Sequence, residues 1–322
     1  MTCAVEIEGL TKVFEVGFLR KRPVTALDNL TLSVEQHQIF GFLGPNGAGK
    51  TTTLKLLMRL LRPTSGTARI LGVPISSVAM HQRIGFLPEQ PNFYDNLTAR
   101  ELVTYYGELA NVESKVLERR VPELLDRVGL DPKALDRRLR KFSKGMLQRV
   151  GLAQAIVHDP EIVFLDEPMS GLDPIGRRHV RDLILELRNG GKTVFFSSHI
   201  LSDVEALCDR VAILNNGRLV ETGLLSDLVL GKSSGVEIVA TGIDDAALEI
   251  LLKEGFTAEK SPGGVTICVA SEHDVDRALE RLRAHGGRLI SVNRTGGSLE
   301  DYFLREVAAQ DAQNSTESQV AD

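Results

Sequence analysis

Gly44-Pro45-Asn46-Gly47-Ala48-Gly49-Lys50-Thr51 is the stretch on which the reading of this 322-residue chain turns. It fits the pattern G-x-x-x-x-G-K-[ST], in which glycines let backbone N–H groups turn inward around phosphate oxygens. Just before it, Ile39 to Leu43 is a short, nearly all-apolar run, the mark of a strand covered on both faces. Just after it, Lys50 to Leu61 predicts a helix whose N-terminus adds its positive dipole end to the same place. In that setting Lys50 is expected to reach the outer phosphates, and the Thr51 hydroxyl to ligate Mg²⁺.

A second chemical feature stands further along. Ile162 to Leu165 is another buried-strand run, and it ends in Asp166-Glu167. Adjacent carboxylates at the carboxyl end of a strand sit where an α/β sheet presents its ligand. They can divide the labour, Asp166 holding Mg²⁺ through its water shell while Glu167 polarises an attacking water beside a γ-phosphate. Together the two motifs read as a P-loop NTPase and nothing narrower, with Mg²⁺ as the expected metal.

Working outward, residues Ala4 to Val220 alternate short β-branched runs, among them Thr193 to Phe196, with amphipathic stretches, as strands and crossover helices do around a largely parallel sheet. From Pro91 to Gly145 the pattern turns helical, opened by Thr98 and Glu101 at capping-box spacing. With the helix that follows, this is an inserted helical subdomain of about residues 91–157 within a domain of residues 1–230. Asn216-Gly217 between two apolar runs predicts a β-hairpin.

Gly231 to Gly235 is a small polar linker, and a new pattern starts beyond it. Over residues 236–307 the order reads strand 236–240, helix 245–254, strand 256–259, turn 262–264, strand 265–269, helix 272–285 and strand 288–293. That β-α-β-β-α-β order predicts a small ferredoxin-like α+β domain. Ser298 and Asp301 open a last helix by capping logic, and the polar tail, residues 308–322, reads as disordered.

Composition bounds the function. Hydrophobic residues make up 43% and charged residues 25%, the balance of a globular protein. A net charge of -5 removes the simple electrostatic case for nucleic acid as a partner. Cys3, Cys208 and Cys268 stand far apart, giving neither a disulfide framework nor a zinc site, and Cys208 reads as a packed small residue. No charged leader precedes an apolar stretch, and no run of about 18 apolar residues could cross a bilayer. The basic runs Arg20 to Arg22 and Arg137 to Lys141 read as solvated faces, contact with an acidic loop or lipid headgroups being the alternative. His273 and His285 are read as solvent-facing.

The subclass is decided by Phe142-Ser143-Lys144-Gly145-Met146-Leu147-Gln148-Arg149, ahead of a helix expected to run to Val157. This resembles the signature of ABC-transporter nucleotide-binding subunits, usually L-S-G-G-Q, and it lies between the phosphate loop and Asp166 as it does there. Ser170-Gly171-Leu172-Asp173 looks like the family's D-loop, His199 after Ser197-Ser198 like its switch histidine, and Phe14 like the aromatic that stacks on adenine. The resemblance covers almost all of the first 230 residues. It implies that two copies sandwich two ATP molecules, each site joining the phosphate loop of one copy to the signature of the other.

On that resemblance the ATP-binding set is Phe14, Gly44, Pro45, Asn46, Gly47, Ala48, Gly49, Lys50, Thr51, Thr52, Ser143, Gly145 and Asp173. The catalytic set is Lys50, Glu89, Glu167 and His199, and the Mg²⁺ set Thr51, Glu89 and Asp166. Two departures matter. In Phe86-Leu87-Pro88-Glu89-Gln90, Glu89 holds the place of the Q-loop glutamine, a shift to Gln90 being the alternative. In the signature, Lys144 and Met146 replace glycine and glutamine, and Lys144 is read as solvent-facing, the alternative being added positive charge near the phosphate. Such features, with a small C-terminal domain, resemble bacterial subunits with a separate transmembrane permease, often an exporter. They imply a peripheral protein at the cytoplasmic face of the membrane. The alternative function is a soluble ABC ATPase acting on nucleic acid or ribosomes; such proteins usually carry a long coiled coil or a second nucleotide domain. A nucleotide kinase or GTPase lacks the signature, and no N-K-x-D guanine motif occurs here.

Overall fold

The computed structural model describes residues 3–17, 21–230, 235–261, 264–269, 273–295 and 299. Two long strands, β1 (Cys3–Val16) and β2 (Arg22–Glu35), come first, then β3 (Ile39–Leu43) and helix α1 (Lys50–Leu57). β4 (Ser65–Ile70), β5 (Val73–Pro74) and β6 (Ile84–Leu87) lead into α2 (Ala99–Leu109), α3 (Ser114–Arg127) and α4 (Lys144–Ile156). The chain then alternates β7 (Ile162–Asp166), α5 (Pro174–Asn189), β8 (Thr193–Ser198) and α6 (Leu201–Glu205), and closes this unit with β9 (Arg210–Asn215) and β10 (Arg218–Leu224).

The main sheet has the order β10-β9-β3-β8-β7-β6, and every pair is parallel except β9 with β10. β3 therefore lies between β8 and β9, so three strands deliver their carboxyl ends to one crevice. All residues of β3, β7 and β8 are buried, which is why their sequences read as continuous apolar runs rather than alternating ones. Phe195 of β8 sits at the centre of this packing, its ring 5.3 to 5.4 Å from those of Phe40, Phe42 and Phe164. These contacts fix the heights at which β3, β7 and β8 end. Truncating a ring of this kind costs about 3–5 kcal/mol. A second, antiparallel sheet, β2-β1-β4-β5, shares the core under α1.

Local signals act as the sequence suggests. Thr98 accepts from the Glu101 amide at 3.2 Å and donates its own amide to Glu101 Oε2 at 2.8 Å, a complete capping box. Asn216 and Gly217 both take left-handed backbone, φ 47° and 79°, joining Asn215 to Arg218 in a tight hairpin. One boundary differs. The helix expected to reach Leu61 ends at Leu57, because Arg59 adopts φ 57°. The Leu60 amide then bonds Lys55 O at 2.8 Å and the Arg59 amide bonds Leu56 O at 3.0 Å, a Schellman stop without its usual glycine.

The division into two compact units falls at Leu225 and Ser226. After α7 (Leu225–Leu230), the second unit runs β11 (Gly235–Thr241), α8 (Asp245–Lys253), β12 (Thr257–Ser261), β13 (Gly264–Val269), α9 (His273–Ala284) and β14 (Arg288–Thr295). Its sheet is antiparallel in the order β12-β13-β11-β14, with its own core around Ile238, Leu251, Ile267 and Leu282. The linker at 231–234, part of the turn at 262–264, the helix after Ser298 and the tail at 308–322 lie outside the described residues. Among the described residues no helix is long and apolar enough to cross a membrane.

Candidate functional site: two cavities

The carboxyl ends of β3 and β7 and the segment after β8 line one cavity of about 450 Å³. Its floor is the loop from Pro45 to Thr52, and its wall is formed by Ala26, Glu89, Glu167, Ser170 and His199. Gly49 caps α1 with φ 106°, and a Cβ there would stand 2.6 Å from Ala26 O, so both the backbone and the space require glycine. No side chain caps the helix start. Its amides are thus free of side-chain acceptors at the place where an anion gains most.

Lys50 is buried, and its ammonium donates to Gly44 O at 2.6 Å and Pro45 O at 3.2 Å. It also lies 3.5 Å from Glu167 Oε1, while His199 Nδ1 is 2.9 Å from Glu167 Oε2. Glu167 thus links lysine and histidine across the cavity. Its backbone is left-handed, φ 50°, a conformation that costs a side-chain-bearing residue about 1–2 kcal/mol and gathers at functional sites.

A hydroxyl holds this pair of carboxylates in register. Ser197 Oγ donates to Asp166 Oδ1 at 2.6 Å and accepts from the Glu167 amide at 3.0 Å. Burial pushes the Asp166 carboxyl above its ordinary value, opposed by hydrogen bonds from Ser197 and Thr51, while Glu89 nearby raises it further. Thr51 and Asp166 therefore meet, and Glu89 stands close enough to be felt. One hydroxyl and one carboxylate fit Mg²⁺, which takes few protein ligands and keeps waters and phosphate oxygens for the rest. Glu89, not the exposed Gln90, lines the cavity.

Ser143, Gly145 and Asp173 are elsewhere. With Lys144, Met146, Gly171 and Leu172 they line a second cavity of about 580 Å³, which shares no lining residue with the first. Ser143 is exposed and caps α4, accepting from the Met146 amide at 3.3 Å. Asp173 caps α5 through the Gly176 amide at 2.9 Å, with Arg149 3.6 Å away. Phe14 lines neither cavity. It is half-buried on β1, paired in register with Val24, under the Lys12 ammonium at 5.0 Å.

Two contributors were not singled out from the sequence. Ser197 stands in the sequence only as the flank of His199; a hydroxyl closing the buried run Thr193 to Phe196 is the signal that could have found it, and the fold sets it opposite Asp166. Gln148, nearly solvent-free, donates to Glu167 O at 3.4 Å and Pro168 O at 3.3 Å, tying the signature helix to the carboxylate loop.

The profile of the family described as ABC transporter matches residues 27–170, from within β2 to the loop after Glu167. An ABC transporter ATP-binding protein of Synechocystis is 46% identical over 94% of this chain and 84% of its own length. The chain belongs to the ABC transporter ATP-binding proteins. The bacitracin transport ATP-binding protein BcrA of Bacillus licheniformis is 37% identical over 87% of this chain and 92% of its own. Among solved structures, the ATP-binding cassette MJ0796, a dimer in a post-hydrolysis state with ADP and Pi, superposes with a TM-score of 0.64 at 25% identity. It covers 69% of this chain and 98% of that one. This ABC subunit is an ATPase, and its P-loop NTPase cassette carries the phosphate-loop cavity described above.

Proposed function

We propose that this ABC subunit works as a head-to-tail homodimer and drives export through a separate membrane permease, itself sitting peripherally at the cytoplasmic face. The observation that carries the dimer is the separation of the two cavities: the phosphate loop and the signature serine of one chain line different hollows. A second copy, turned to face the first, brings Ser143 and Gly145 of each to the triphosphate of the other. The dimeric state of MJ0796 and the bacitracin transport of BcrA support this reading. The order β12-β13-β11-β14 supports the ferredoxin-like reading of the second unit.

In this reading the residues of the first cavity divide the work. The loop from Gly44 to Thr52 binds the phosphates through its amides, and Lys50 exchanges its carbonyl partners for outer phosphate oxygens. Thr51, Asp166 and Glu89 would hold Mg²⁺, which when bound supplies charge neutralisation for the phosphates. Glu167 orients the attacking water and takes up its proton. His199 donates to the γ-phosphate and is steadied by Glu167 on its Nδ1 side. Phe14 stacks on adenine and Asp173 meets the partner copy. ATP bridges two copies only in the closed state, so it shifts the equilibrium to closure, and ADP bridges less well.

The test is Glu167→Gln. With ATP and Mg²⁺ it is expected to run as a dimer on size-exclusion chromatography with hydrolysis down by about 10²-fold or more. A species that stays monomeric under those conditions sinks the two-copy site.

A further inference from the structure

Position 144 is a lysine where the family's signature has glycine, and the structure shows what that lysine does with its stem. Gly171 has left-handed backbone, φ 72°, and a Cβ placed on it would stand 3.2, 3.3 and 3.5 Å from Lys144 Cδ, Cε and Nζ. The side chain is therefore laid back over a bare Cα and keeps its ammonium within the signature cavity, although the residue as a whole is exposed.

That placement is electrostatically one-sided. Lys144 is the first residue of α4, a helix with no acidic residue in its first turn, so a cation stands at the positive end of the helix dipole. The carboxylates lining the same cavity have other duties: Asp173 caps α5, and Asp131 Oδ1 accepts from the Lys133 amide at 2.8 Å. Among the described residues no carboxylate lies within ion-pair distance of the Lys144 ammonium. A cation beside a serine hydroxyl at a helix start gives an entering anion charge and hydrogen-bond donors at one place.

We propose that the Lys144 ammonium binds the terminal phosphate of the ATP held by the phosphate loop of a second copy, beside Ser143 and Gly145. This inference rests on the two-copy reading above. It makes Lys144 a determinant of triphosphate over diphosphate, since only ATP carries charge at that end.

The experiment uses the full chain in the Glu167→Gln background, with dimerisation followed by analytical ultracentrifugation against MgATP. Lys144→Met keeps an apolar stem for Gly171 and removes the charge; Lys144→Arg keeps the charge. The Met variant is expected to need about tenfold more MgATP for half-maximal dimer at about 0.05 M KCl, the Arg variant less than about threefold. The gap between Met and parent should close towards about 0.5 M KCl, where screening reaches within about 4 Å. A Met variant that matches the parent at low salt overturns the proposal, as does an equal loss in Met and Arg, which marks a purely steric role over Gly171. A parent that stays monomeric overturns the two-copy reading and this one with it; a parent that dimerises isolates the result to Lys144.

Discussion

The two cavities of this ABC subunit are built on opposite plans. Around the phosphate loop Lys50, Asp166, Glu167 and Ser197 are buried and bonded to one another or to the loop, Lys50 to loop carbonyls and Glu167, and Asp166 to Ser197, while the exposed His199 reaches in to Glu167. Around the signature the working side chains are exposed, and their hydrogen bonds run inward to cap helices, Ser143 for α4 and Asp173 for α5. One site is pre-organised within a single chain, so reorganisation there costs little when the substrate arrives. The other is a surface whose donors face outward, which is what a site completed by a second molecule needs.

The strongest way to break this comparison is to damage each cavity in a different copy. Lys50→Ala alone and Ser143→Arg alone are each expected to lower ATP hydrolysis by about 10²-fold or more. Mixed in equal amounts, they should recover a substantial fraction of activity, because one site of each mixed dimer has an intact loop and an intact signature. No recovery in a steady-state ATPase assay would place both residues in one site of one chain.

A smaller effect sharpens the contrast on the stability side. Ser143→Ala removes an N-cap at the surface and should lower stability by about 1 kcal/mol, read from urea melts. The smallest expected effect has the opposite sign and belongs to the buried cavity. Asp166 has its carboxyl raised by burial above 3.8, the ordinary value for this residue. Stability linked to its bound proton is therefore complete below about pH 3.8 and lost as pH rises through the folded value. Asp166→Asn mimics the protonated acid and should raise the melting midpoint near neutral pH, by less than the shift Ser143→Ala produces, since hydrogen bonds from Ser197 and Thr51 oppose the burial. In EDTA without nucleotide the gain should vanish at acid pH, and in a separate assay with ATP and Mg²⁺ the variant is expected to lose hydrolysis at every pH. A Tm that falls at neutral pH would show those hydrogen bonds to outweigh the burial.

What could be read directly from the residues was local. The loop from Gly44 to Thr51, the capping box at Thr98 and Glu101, the Asn216-Gly217 hairpin and the buried runs of β3, β7 and β8 all depend on neighbours a few positions away. Backbone conformation and strand burial leave their mark in residue type at that range. Tertiary structure alone decided the rest. It stopped α1 at an arginine in a left-handed turn, put Glu89 rather than Gln90 against the cavity, and used Ser197 to hold Asp166 and Glu167 together. It also laid Lys144 over Gly171 and set Ser143 apart from the phosphate loop of its own chain. Each of these depends on which strands lie side by side and what space remains between packed elements, and a linear string of residues does not encode that at any fixed spacing.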